Sequence, residues 1–65
     1  MKQFDKVLIR STNPNLKPEE WFFFEQNGNF VTLRLPFSDS EEDLQKMKEG
    51  VNYHQLITDS KRIIE

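Results

Sequence analysis

Residues 20–37 read EWFFFEQNGNFVTLRLPF, two apolar and β-prone runs on either side of Asn27-Gly28. An Asn-Gly pair so flanked is the strongest short-range hairpin signal, because a type I′ turn needs positive φ at both central residues. With those two residues as the turn, Gln26 faces Asn29, Phe24 faces Val31, Phe22 faces Leu33 and Glu20 faces Leu35. Val31, Leu33, Leu35 and Phe37 mark that side as the core side. The other side then carries Glu25 with Phe30, Phe23 with Thr32 and Trp21 with Arg34.

A three-residue loop with a bulge shifts this register by one and swaps which aromatics point inward. In either register the run Trp21-Phe22-Phe23-Phe24 places two rings on each face, so something must cover the second face. A competing reading starts a short helix at Pro18, with Glu19 and Glu20 in its first turn. The strand propensity of the Phe run opposes it.

Outward from the hairpin, Phe4–Arg10 (FDKVLIR) has a β-branched centre and suits a strand. Pro14 and Pro18 make the connection to Glu20 a loop. On the other side, Ser38-Asp39-Ser40-Glu41 is a capping box with Ser38 as the cap and Glu41 reaching back. Acidic residues fill the first turn, Lys46 and Lys48 sit near the end, Glu42 and Lys46 have four-residue spacing, and Gly50 is placed as the C′ stop. In the tail, Tyr53, Leu56, Ile57, Ile63 and Ile64 fall at helical spacing, with Asn52 and Gln55 as a weaker capping box. Thr58-Asp59-Ser60-Lys61 reads alternatively as a turn between two short strands, His54–Thr58 and Arg62–Glu65. The helix reading is preferred.

The expected fold is one small α+β domain over 1–65. A three-stranded, mainly antiparallel sheet comes from 3–10, 20–26 and 29–36, packed by a helix at 39–49 and a C-terminal helix at 53–64. The expected core is Phe4, Leu8, Phe22, Phe24, Val31, Leu33, Leu35, Leu44, Met47, Leu56 and Ile57.

A chain of 65 residues buries only about 60% of its unfolded surface. Hydrophobic content is 35% and mean hydropathy −0.76, both low for a globular domain, yet aromatics reach 12%. That surplus argues for a folded chain with an aromatic core. Scaffolds this small usually need disulfides, a metal or a partner chain. There is no cysteine, so a partner chain is the expected support and a homodimer is plausible. The apolar core of a signal peptide is missing from Met1–Lys6, and a cytoplasmic location is expected. Net charge is −2 with a pI near 5.3, split as +1 over residues 1–37 and −3 over 38–65, which is no basic footprint for nucleic acid.

His54 is the only histidine, and Asp59 and Ser60 stand at the wrong helical spacing to form a triad with it. Asp39–Asp43 fails as a calcium loop, since Leu44 occupies the glycine position and Gly50 the glutamate position. Two glycines cannot build a phosphate-cradling loop. The expectation is no enzyme, no cofactor and no metal. Asp39, Glu41, Glu42 and Asp43 form a possible acidic surface imitating a phosphate backbone, although acids in a first helical turn are favourable there in any case. The best candidate for function is a partner-binding face of Trp21, Phe23, Phe30 and Arg34, residue types that dominate interface hot spots. The reading is a small binding protein that occupies a partner protein's surface, of inhibitor or adaptor type, as phage accessory proteins do with host machinery. One alternative is a homo-oligomer holding a small anionic ligand near Arg10, Arg34 or Arg62. Another stacks single-stranded nucleic acid on the rings, with Lys6, Arg10 and Arg34 meeting phosphates.

Overall fold

A computed structural model describes residues 1–64 as α+β: one four-stranded antiparallel sheet and one α-helix. Strands β1 (Lys6–Ile9), β2 (Glu19–Asn27), β3 (Phe30–Pro36) and β4 (Tyr53–Asp59) lie side by side in chain order. Helix α1 (Glu41–Lys48) connects β3 to β4 and packs on β3, and a 3₁₀ turn, Ser60–Arg62, follows β4.

The central hairpin forms, in a different register. Asn27 pairs with Phe30, so the loop's central residues are Gly28 and Asn29. Gly28 takes φ +62° and Asn29 is not among the left-handed residues, the order that a type II′ turn requires. Sliding the loop by one puts the glycine in the position that costs every other residue most. Glu25 then faces Thr32, a bulge follows at Phe24, and beyond it Phe23 faces Leu33 and Phe22 faces Arg34. The expected division of the rings is therefore reversed. Trp21 and Phe23 join the core side, and Phe22 and Phe24 lie on the other.

We call the side of Leu33 the inner face. Val7, Ile9, Phe23, Val31 and Leu33 form one buried cluster there, with Trp21, Leu56 and Ile63 packed against it. Of the other expected core residues Met47 is buried, outside that cluster; Phe4, Leu8, Phe22, Phe24, Leu35 and Leu44 are half-buried, and Ile57 is exposed.

The C-terminal helix is replaced by β4 and the 3₁₀ turn, which also makes the sheet four-stranded rather than three-stranded. Residues 53–59 pair with all seven residues of β3 without a register break. Without β4 the central apolar strand would have been an edge, and this pairing overrides the helical spacing of Tyr53, Leu56 and Ile57. The Asp59 carboxylate accepts from the Lys61 N–H and turns the chain. The tail then pairs with β1: Ile63 bridges Ile9, the Arg10 N–H donates to the Arg62 carbonyl and the Ile64 N–H to the Leu8 carbonyl. In a flat sheet a strand outside β1 would lie about 19 Å from β4, four strand spacings away. Four residues of chain reach about 14 Å at most. The sheet therefore curls, with Ile63 closing the inner face.

Helix α1 is shorter than expected, and its N-cap is Ser40 rather than Ser38. The Ser40 Oγ accepts from the Asp43 N–H at 3.2 Å, while Ser38 donates through its hydroxyl to the Asp43 carboxylate. The C-terminus is as expected. Gly50, at φ +85°, donates to the Met47 carbonyl and Val51 to the Lys46 carbonyl, a Schellman closure.

Candidate interaction surface

The outer face carries every second residue of each strand, opposite the buried cluster. On β3 these are Phe30, Thr32, Arg34 and Pro36, and facing them on β4 are Asp59, Ile57, Gln55 and Tyr53. The bulge in β2 keeps the Phe24 ring on this side, beside Arg34. The Arg34 guanidinium carbon lies 3.5 Å from the Phe24 ring centroid and 4.2 Å from that of Tyr53, so the cation is held between two rings. Contacts this close fall within cation–π range.

Phe24 is backed in turn by Phe4, with ring centroids 6.2 Å apart. Phe4 takes φ +67°, a conformation costing a bulky residue about 1–2 kcal/mol. It is held there by its own N–H donating to the Phe23 carbonyl, and by the Phe23 N–H donating to the Asp5 carbonyl at 2.7 Å. The N-terminal turn thus braces the ring stack.

Arg34 forms no ion pair or hydrogen bond among the described residues, and its Nε is buried without a partner. A guanidinium offers five donors in a fixed plane, and contact with two rings restricts where it sits. The arrangement suits a carboxylate or phosphate approaching the free edge. Next to it the surface turns apolar: Phe30 is 58% exposed and Ile57 62%, at adjacent register positions on β3 and β4.

The candidate residues named from sequence do not gather in one place. Phe23 is 8% exposed and belongs to the core; Trp21 packs against that core, with its indole N–H donating to Glu19. Phe30 and Arg34 share the outer face. Arg10 and Arg62 come together, but the Arg62 guanidinium donates to the Arg10 carbonyl and the Thr58 hydroxyl, and Arg34 sits apart in its ring stack. Asp39, Glu41 and Glu42 are exposed at the start of α1, where Glu42 pairs with Lys46 at 3.2 Å and Asp43 donates its N–H to the Ser40 cap and accepts from the Ser38 hydroxyl. His54 meets the edge of the Phe37 ring at 4.3 Å, on the opposite face of β4 from Asp59. Among the described residues no cluster of His, Cys, Asp or Glu is placed to hold a metal, and no helix is long and apolar enough to cross a membrane.

Around Arg34 the sequence reading placed three residues elsewhere: Phe24 and Ile57 in the core, and Tyr53 in a tail helix. Tyr53, Gln55 and Ile57 mix apolar and polar residues on one face of β4, so alternation gave no signal for them. Comparison of the chain with protein-family models, curated proteins and solved structures found no match.

Proposed function

We propose that this chain is a small non-enzymatic binding protein that occupies a surface of a partner protein, as an inhibitor or adaptor does, and that its contact is the outer face of β2–β4. The observation that carries the reading is Arg34, held against Phe24 and Tyr53 with no anion of its own among the described residues, on the same face as exposed Phe30 and Ile57. An uncompensated cation in an aromatic setting is a poor choice for stability alone and a good one for recognition. The partner surface that fits offers an acidic side chain beside an apolar one. The fit rests on Phe30 and Arg34 and replaces Trp21 and Phe23, which the fold uses internally.

The test is affinity capture with wild-type and Phe30→Ser/Arg34→Met bait. A protein held by the wild type and released at least tenfold more readily by the double variant, at an unchanged melting temperature, supports the reading. Equal capture by both baits overturns it. Salt-sensitive binding of a single-stranded oligonucleotide to the same face would replace it with the nucleic-acid reading.

A further inference from the structure

The two edges of the sheet are finished differently. β1 is four residues long, begins at Lys6 and is paired along its outer side by Arg62–Ile64. β4 is seven residues long, runs without a bulge, contains neither lysine nor proline, and ends the sheet, with no strand outside it among the described residues. Shortness, lysine, proline, bulges and covering segments are how edges are kept from pairing with other chains. β1 uses three of these devices and β4 uses none. The β4 edge is therefore a template for another strand.

The sequence of β4, YHQLITD, fits itself. Antiparallel pairing of two copies over their full length places Leu56 opposite Leu56, Gln55 opposite Ile57, His54 opposite Thr58 and Tyr53 opposite Asp59. Asp59 is the only formally charged residue of the strand at pH 7, so no like charges meet in this register. It lands instead opposite Tyr53, the ring stacked against Arg34. Ile57, 62% exposed in the single chain, becomes the diagonal neighbour of Ile57 in the other copy, about 7–8 Å away across the seam. A two-fold contact needs such self-complementarity, since the same patch must serve both sides.

We propose that two copies of this chain pair antiparallel along β4, with the two-fold axis at Leu56, to form one continuous eight-stranded sheet whose outer faces join. A strand seam is smaller than a standard interface, so dimer and monomer exchange with concentration. The inference stands on the edge and not on the partner-binding reading of the outer face.

Two measurements test it on the full chain. Light scattering over a series from low micromolar to millimolar is expected to show the mass rising from 7.8 kDa toward twice that value. A monomer throughout overturns the proposal. The chain has no cysteine, so register can be read by oxidation. Gln55 and Ile57 are exposed, and each is replaced singly, as Gln55→Cys and Ile57→Cys. Directly opposed residues lie within disulfide range and diagonal ones at its limit. Mixing the two variants should give a cross-linked dimer several-fold faster than either alone. Equal rates in all three samples overturn the proposal even if a dimer is present. Phe30→Ser should weaken capture of a partner and leave this cross-link unchanged, so failure of one reading is distinguishable from failure of the other.

Discussion

Strand β2 presents four consecutive rings and sends two to each face, and the two pairs meet different surroundings. Trp21 and Phe23 enter an aliphatic cluster of Val7, Ile9, Val31 and Leu33, closed by Ile63 from the tail. Phe22 and Phe24 face groups that are amphipathic: Lys6 stands 6.0 Å from the Phe22 centroid, and Arg34 lies against both Phe24 and Tyr53. A chain of this size has aliphatic residues enough for one dry layer. On its second face Pro36 is buried, and Lys6 and Arg34 lay their side chains against rings. The difference assigns stability to one side of the sheet and adaptable chemistry to the other.

The largest effect should come from the inner side. Phe23→Ala removes a ring that is 8% exposed from the middle of the cluster and should cost about 3–5 kcal/mol. At roughly 0.1 kcal/mol per residue the whole fold is worth about 6 kcal/mol, so the variant should be largely unfolded under mild denaturant. Urea titration followed by near-ultraviolet circular dichroism checks this. A midpoint like that of the wild type would mean that Phe23 and Phe24 have exchanged faces.

That exchange is the point at which the sequence was hardest to read. The strong Asn27-Gly28 signal located the hairpin correctly and gave the wrong register, because glycine is acceptable at either central position of a two-residue loop. Gly28 sits first, with φ +62°, and that slip of the loop alone keeps each ring on its expected face; the bulge between Phe23 and Glu25 is what inverts the rings of Trp21–Phe24. The bulge at Phe24 has no sequence signature of its own. Helix α1 was legible, because acidic residues, a serine cap and Gly50 are local signals that need no partner. The tail was not, because Tyr53, Leu56 and Ile57 follow a helical spacing and break strict alternation, so the local pattern favoured a helix over a strand. The presence of β3, with an open side to pair, decided between them. Arg34 was legible as an interface residue, but its clamping rings Phe24 and Tyr53 depend on that register and on that strand.

An intermediate effect tests the helix that packs on β3. Gly50→Ala places a Cβ in open space, with nothing within 4 Å, so any loss is a backbone cost of φ +85° and not a clash. About 1 kcal/mol is expected for an L-residue held at a left-handed C′ position. Thermal unfolding monitored by circular dichroism reads it. No loss would show that the Schellman closure through Val51 and Lys46 is not what ends the helix.

The smallest effect is the most informative about the outer face. Ile57→Ser at low micromolar concentration should change the unfolding free energy by no more than about 0.5 kcal/mol, because the side chain is 62% exposed and little apolar area is lost. A loss above 1 kcal/mol there would mean that the residue is packed within the single chain, and the outer face would cease to be a surface. At high concentration the outcome should change. If β4 edges pair, the wild type gains stability with concentration by mass action, and the serine variant, lacking the Ile57 contact across the seam, gains less. The same substitution is thus neutral in the monomer and costly in the dimer. Urea midpoints at two concentrations separate a face that is merely exposed from one that is exposed in order to be covered.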